Sequence, residues 1–151
     1  MKKYLVIGNP IEHSLSPKLH NYWIKTNNID AIYEKEILND EELESVISKV
    51  KKKEIHGINV TVPFKNKIVP YIDQLSPEAE KTKSVNTVYA NNNQVIGHNT
   101  DIAGFELSIK ESQYNIKNKK VMILGAGGVV PSIVFALNKM KVSEIIISNR
   151  T

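Results

Sequence analysis

A strand, a glycine-rich turn and an amphipathic helix follow one another near the end of the chain, and no other feature constrains the fold as much. Residues 120–124 form an apolar run, and residues 125–128 read Gly-Ala-Gly-Gly. Apolar residues then recur at helical spacing from 130 to 137, and residues 143–148 predict a second strand. This β-α-β order is typical of one half of a dinucleotide-binding fold, so we predict an α/β protein.

The glycine turn itself, Gly125-Ala126-Gly127-Gly128, predicts a pyrophosphate site, with a simple strand-to-helix connection as the alternative. Glycines let the backbone approach phosphates, and a helix N-terminus attracts their charge. An acid ends the second strand of most NAD sites, whereas Asn149-Arg150-Thr151 stands here, and arginine suits a 2′-phosphate. The residues therefore favour NADP. Two departures from the usual pattern are Val130, where glycine or alanine is preferred, and Pro131, which removes an amide.

A second stretch, residues 57–65, predicts a buried strand whose end faces a ligand. Apolar and polar residues alternate over 57–62, and Pro63 cannot extend a ladder. Ligands of α/β sheets bind beyond the carboxyl ends of strands, so Thr61 and Lys65 lie where a ligand is expected. The alternative is a strand followed by a solvated lysine.

Strand and helix patterns also alternate through the first hundred residues, which predicts one α/β sheet there. Residues 4–7 and 31–37 predict strands, residues 43–50 the clearest helix, and residues 65–72 a short one. Residues 87–97 predict a hairpin around three asparagines, which tolerate positive φ.

Helix starts give several polar residues a structural interpretation. Ser16 precedes Pro17 and fits a helix N-cap, and Thr100 or Asp101 fits the N-cap of a later helix. Capping by Ser16 leaves Ser14 without a structural role.

Composition excludes several classes of function. The 151 residues include no cysteine, and the four histidines have no ligand spacing, so we predict no metal site. The net charge is +4, but the lysines are scattered, which argues against nucleic acid. The first apolar run is too short for a signal peptide or a membrane span, so a cytoplasmic location is expected.

Four segments of the chain form one recurring set of motifs. They are Gly8-Asn9-Pro10 with His13-Ser14-Leu15-Ser16-Pro17 and His20-Asn21, Asn59 to Lys65, Ser84-Val85-Asn86-Thr87, and Asn99-Thr100-Asp101 with Gly104-Phe105. Together they resemble the shikimate dehydrogenase family, and the glycine turn and Asn149-Arg150-Thr151 extend the match. The resemblance covers nearly the whole chain.

The resemblance implies NADPH-dependent, reversible reduction of 3-dehydroshikimate to shikimate, a step of aromatic amino-acid biosynthesis. Ser14 and Ser16 would hold the substrate carboxylate. The residues that would hold its hydroxyls are Thr61, Lys65, Asn86 and Asp101. The family's catalytic pair falls on Lys65 and Asp101, and its cofactor contacts fall on the glycine turn and residues 149–151. We prefer Lys65 as proton donor with Asp101 orienting it, because a ketone reduction needs a proton on oxygen.

The resemblance also implies two domains, a substrate-binding α/β sandwich over residues 1–112 and the start of a Rossmann-like NADP domain over residues 113–151. We expect a truncated second domain, whose β-α-β unit docks on the first, pairs with another copy as a homodimer, or frays. The alternatives to a shikimate dehydrogenase are a non-catalytic shikimate-binding module and a quinate/shikimate dehydrogenase.

Overall fold

A computed structural model describes residues 1–150; Thr151, one of the predicted cofactor residues, lies outside the described residues. Within this range the strands are β1 (Lys2–Gly8), β2 (Ala31–Ile37), β3 (Gly57–Val60), β4 (Gln74–Leu75), β5 (Thr87–Asn91), β6 (Gln94–His98), β7 (Lys120–Leu124) and β8 (Glu144–Ser148). The α-helices are α1 (Ser16–Thr26), α2 (Leu43–Lys51), α3 (Phe64–Lys67), α4 (Pro77–Thr82), α5 (Asp101–Glu111) and α6 (Val130–Lys139).

The strands form two separate sheets, and this mixed architecture confirms the predicted α/β fold. The first sheet has the order β2-β1-β3-β5-β6-β4, with β1 parallel to β2 and β3, and with β5 antiparallel to β3 and β6. The second sheet pairs β7 with β8 in parallel, as a β-α-β unit requires.

The main hydrophobic core lies where α2, α3 and α4 cover the first sheet. The helical spacing predicted from residues 43–50 is confirmed, since Leu43, Val46, Ile47 and Val50 are all buried. Phe64 fills the same core with 1% of its surface exposed. Each such side chain stabilises the fold by about 1.5–3 kcal/mol through burial. This packed side of the sheet therefore holds the loops at the sheet edge in place.

The predicted strand over residues 57–62 is two residues too long, because β3 ends at Val60. The Thr61 amide still donates to the Ile7 carbonyl at 3.0 Å, but the Thr61 carbonyl accepts from the Phe64 amide at 2.9 Å. The chain turns there through a cis peptide bond before Pro63. Thr61 therefore belongs to a tight turn at the edge of the sheet.

The predicted helix over residues 65–72 is divided into α3 and a separate 3-10 turn, Val69–Tyr71. Pro70 lies inside that turn and lacks the amide that a continuous helix would use. The hairpin prediction is confirmed, since Asn92 and Asn93 adopt φ values of 46° and 64° between β5 and β6.

The N-cap prediction for Ser16 is wrong. Ser16 is already the first residue of α1, and no side chain caps the helix through the N-cap position, which is Leu15. The side-chain oxygen nearest to this role belongs to Ser14, whose Oγ accepts from the Ser16 amide at 3.3 Å. The Ser16 side chain therefore does not cap α1.

Candidate active site

Four loops meet at one edge of the first sheet because of how its strands pair. Ile7 near the end of β1 lies beside Val60, the end of β3. The antiparallel neighbour β5 begins at this edge, where Thr87 pairs with both Asn59 and His98. The loops after β1, β3 and β6 and the loop before β5 therefore converge. The predicted site residues on these loops are Ser14, Thr61, Lys65, Asn86 and Asp101.

Lys65 and Asp101 form an ion pair at this edge. The Lys65 Nζ lies 2.8 Å from the Asp101 Oδ2, and the two side chains are only 14% and 23% exposed. Lys65 comes from α3 and Asp101 opens α5, so the pair joins the helices that follow β3 and β6. A half-buried ammonium beside a carboxylate can donate a proton to a bound oxygen and stabilise negative charge on it.

Asn86 holds the other side of the Asp101 carboxylate. Its Nδ2 donates to the Asp101 Oδ1 at 2.8 Å, and its Oδ1 accepts from the Thr100 amide at 3.0 Å. The Val85 amide donates to the Lys65 carbonyl at 2.8 Å, which ties the same loop to α3. Both oxygens of the carboxylate are therefore fixed, one by Lys65 and one by Asn86.

A cavity of about 310 Å³ lies at the loop after β1, and Ser14 and Thr61 both line it. Ser14 reaches it from the loop after β1, since its amide bonds to the Ile11 carbonyl at 3.0 Å. Ser16 is half-buried at the start of α1, but it does not line this cavity. Two of the predicted substrate residues thus share one cavity.

A second cavity, of about 210 Å³, separates Lys65 from the glycine turn. Its lining includes Val62, Pro63, Lys65 and Gly128. Lys65 and Gly128 therefore face the same cavity, which lies between the turn after β3 and the glycine turn.

The glycine turn has the open backbone that a phosphate requires. Gly125 adopts a φ of +104°, and a Cβ added at Gly125, Gly127 or Gly128 would meet no atom within 4 Å. Within residues 1–150, the amides of residues 126–128 donate to no protein acceptor. Pro131 lies in the first turn of α6, where its missing amide breaks no intrahelical bond. The turn therefore fits a phosphate group.

Asn149 and Arg150 come to the same edge as the glycine turn. Leu124 pairs with Ser148 at the ends of the two parallel strands, and the Gly125 amide donates to the Ser148 carbonyl at 2.7 Å. The backbone segments that carry the predicted cofactor residues are thus brought to one edge within the described range, and Arg150 is exposed there.

Sequence reasoning missed two hydrogen-bonded clusters behind the site. Tyr33 donates from its hydroxyl to the Asn59 Oδ1 at 2.6 Å, and burial raises the pKa of Tyr33 to about 12. Asn99 is 95% buried and contacts Ser132 of α6. The only available signal was the alternation that placed Tyr33 in a strand and the position of Asn99 beside Asp101.

Residues 1–150 contain neither a candidate metal cluster nor a membrane-spanning helix. Over the described range, no three His, Asp or Glu side chains come together in a way that could hold a metal ion. No helix of residues 1–150 is long and apolar enough to cross a membrane.

The fold defines an α/β protein in which a candidate small-molecule site at a sheet edge lies next to a glycine-turn β-α-β unit. The model of the shikimate dehydrogenase substrate binding domain matches residues 6–88, and the chain belongs to this family.

Similar proteins carry the same name. The chain is 58% identical over 150 residues to a shikimate dehydrogenase (NADP(+)) of Pelagibacter ubique, covering 99% of this chain and 57% of that protein. The shikimate dehydrogenase of Aquifex aeolicus superposes with a TM-score of 0.93 at 38% identity, over 100% of this chain and 56% of that one. The Thermus thermophilus enzyme in complex with NADP(H) and shikimate gives 0.90 at 32%, over 100% and 57%. The chain thus spans about half the length of these relatives.

Proposed function

We propose that the protein carrying this chain is an NADP-dependent shikimate dehydrogenase, which reduces 3-dehydroshikimate to shikimate reversibly. The observation that carries the proposal is the 2.8 Å pair of Lys65 and Asp101, in which Lys65 shares a cavity with Gly128 of the glycine turn. The named activity of relatives that match 97–100% of this chain supports the same substrate.

The side chains at the sheet edge suit an anion that bears several hydroxyls. Ser14 and Ser16 would hold the carboxylate, since both hydroxyls stand at the start of α1, where a helix N-terminus favours negative charge. Thr61, Asn86 and the ion pair would hold the ring hydroxyls. Fixed hydroxyl and amide partners discriminate strongly against substrates that lack the matching group.

Lys65 is the proton donor in this proposal. In the reducing direction its ammonium protonates the oxygen of the substrate carbonyl as that oxygen gains negative charge, and Asp101 keeps the ammonium aimed at the oxygen. When bound, the nicotinamide supplies the hydride that reaches the carbonyl carbon. In the oxidising direction neutral Lys65 takes the proton of the substrate hydroxyl.

The residues present fit NADP as the dinucleotide. Gly125, Ala126, Gly127 and Gly128 would take the pyrophosphate, because their backbone is open and several of their amides face no protein acceptor among residues 1–150. Arg150, with Asn149, would take the 2′-phosphate at the end of β8. Thr151 belongs to the same predicted segment.

The division into residues 1–112 and 113–151 remains a proposal, supported by the two separate sheets. The boundary would fall between α5 and β7, in the polar link before Lys120. A homodimer and a cytoplasmic location also remain expectations.

Calorimetric titration of the chain, first with shikimate and then with NADP⁺, tests the proposal. Titration with quinate under the same conditions separates shikimate from quinate/shikimate specificity. The whole protein is then assayed for NADPH formation from shikimate at 340 nm, with NAD⁺ as the comparison cofactor.

We expect shikimate binding and NADP⁺-dependent turnover that exceeds the turnover with NAD⁺ and with quinate. Shikimate binding without turnover in the whole protein would overturn the dehydrogenase and leave a binding module. Equal turnover of quinate would replace the proposal by a quinate/shikimate dehydrogenase.

A further inference from the structure

A buried amide, that of Asn99, joins three parts of the molecule. Its Nδ2 donates to the Ser132 Oγ at 2.7 Å and to the Thr82 Oγ1 at 3.1 Å, and its Oδ1 accepts from the Asp101 amide at 3.1 Å. Both hydrogens and the oxygen of this amide are therefore used. Asn99 is 5% exposed and Ser132 is fully buried.

The bond between Asn99 and Ser132 crosses from the first sheet's loops to the β-α-β unit. Ser132 lies in the first turn of α6, the helix that follows the glycine turn. Asn99 lies two residues before Asp101, whose carboxylate pairs with Lys65. A short path of hydrogen bonds thus connects the helix of the glycine turn to the backbone of the residue that orients Lys65.

We infer that Asn99 and Ser132 are positioning residues, which fix the distance between the Lys65–Asp101 pair and the dinucleotide at the glycine turn. The inference rests on the proposed function. Ketone reduction delivers a hydride to the carbonyl carbon and a proton to the oxygen bonded to it, so the two donors must keep one relative position. A misplacement of about 1 Å can cost as much as 100-fold in rate.

Two other residues provide matched controls. Lys139 of α6 also reaches across, since its Nζ lies 2.9 Å from the Glu106 Oε2, but this ion pair is more exposed and does not contact Asp101. Thr82 binds the same Asn99 amide from α4 and makes no bond to α6. Lys139→Met therefore removes a contact between α6 and α5 that does not involve Asn99. Thr82→Val removes a hydrogen-bond partner of Asn99 but leaves the bond between Asn99 and Ser132 in place.

The first readout needs no cofactor and uses the chain itself. We expect Ser132→Ala to speed hydrogen exchange of the Asp101 amide by about tenfold or more, since the oxygen that accepts from it is less firmly held. Lys139→Met should change that exchange less than about twofold. An unchanged Asp101 amide in Ser132→Ala, or an equal change in Lys139→Met, would overturn the inference.

The second readout is steady-state kinetics of the whole protein. We expect Ser132→Ala to lower kcat by about tenfold or more with the KM for shikimate within about twofold, whereas Thr82→Val and Lys139→Met keep kcat within about twofold. If Ser132 had a purely structural role, all three variants would have a lower melting temperature and an unchanged kcat. That result would contradict the inference.

The two proposals fail in different ways. If the unaltered whole protein does not turn over shikimate, the proposed function is wrong, and the positioning role for that reaction is overturned with it. If the unaltered protein turns over shikimate and Ser132→Ala does so equally well, only the inference is wrong.

Discussion

The Lys65 ammonium and the Asp101 carboxylate lie 2.8 Å apart although 36 positions separate them in the chain. The sheet brings them together, because β3 and β6 end at the same edge and one of the two residues lies in the helix that follows each strand. The pair is therefore a consequence of the antiparallel strand β5 between them.

Replacing Lys65 by Met should remove proton donation and lower kcat of the whole protein by about 10²- to 10⁴-fold. Lys67 is the matched control, since it lies in the same helix and pairs with Asp40 at 2.6 Å in a more exposed setting. Lys67→Met should keep kcat within about twofold, because exposed ion pairs contribute little. Equal losses in the two variants, measured by NADPH formation, would remove Lys65 from its proposed role.

Asn86→Ala should both destabilise the protein and weaken shikimate binding. The change leaves the Thr100 amide and one Asp101 oxygen without their partner, which costs about 1–3 kcal/mol of unfolding free energy. Asn115→Ala is the control, since that side chain only accepts from the nearby Lys117 amide at an exposed position. Urea denaturation should place the control within about 0.5 kcal/mol of the unaltered chain, and calorimetry should detect no loss of shikimate affinity in it.

Gly8→Ala should disturb the site through Thr61. A Cβ at residue 8 would lie 2.6 Å from the Thr61 Cγ2 and 3.0 Å from the Val62 carbonyl oxygen. We expect a loss of about 1–3 kcal/mol in unfolding free energy, together with weaker shikimate binding. Gly104→Ala, where a Cβ meets nothing within 4 Å in the exposed part of α5, should instead gain about 1 kcal/mol. If Gly8→Ala changed neither the unfolding free energy nor shikimate binding, the turn at Thr61 would have to shift at little energetic cost, and the prediction would be wrong.

The Tyr33 hydroxyl should make the free energy of unfolding depend on pH in the alkaline range. Its pKa is raised by burial from 10.0 to about 12, so the folded state keeps the proton between these values while the unfolded state loses it. The contribution is complete below pH 10 and declines as the pH rises toward 12. The stability difference between the unaltered chain and Tyr33→Phe should therefore shrink by about 1 kcal/mol between pH 9 and pH 11.

Comparison with Tyr33→Phe cancels the titration of the other tyrosines and of the lysines. Urea denaturation at the two pH values gives the free energies. A difference that stays constant with pH would mean that Tyr33 ionises as readily in the folded protein as in the unfolded one.

Hydrogen exchange should distinguish the two sheets. Leu5, Val6 and Ile7 of β1 are buried between neighbouring strands, whereas Leu124 of β7 is 81% exposed and Ile147 of β8 is 48% exposed. We expect amides of β8 to exchange at least about 100-fold faster than those of β1, since local opening needs less free energy there. Equal protection in a dilute sample would contradict this ordering.

The sequence predicted the α/β class, the β-α-β unit and the helix over residues 43–50, because each rests on local periodicity. The lengths of β3 and α3 were overestimated, since alternation continues past Val60 and does not reveal the turn at Thr61. The two-residue strand β4 was missed because so short a strand has no pattern of its own.

For the site, residue types could be predicted from the sequence but their partners could not. The end of the predicted strand before Lys65 and the family motifs led to Lys65, Asn86 and Asp101, which the fold brings within hydrogen-bonding distance. The contact between Asn99 and Ser132 could not be foreseen, because it depends on how α6 packs on α5 and α4. Long-range packing of that kind leaves no local signature.

Every side chain proposed to face the substrate lies at or before Asp101, and the last strand of the first sheet ends at His98. During synthesis, the N-terminal part of a chain leaves the ribosome first and folds as a unit. The first sheet therefore needs no later described strand to be complete, and the proposed shikimate site can form while the β-α-β unit is still inside the ribosome. A nascent chain probed with shikimate would then gain protection from proteolysis before the dinucleotide unit has folded.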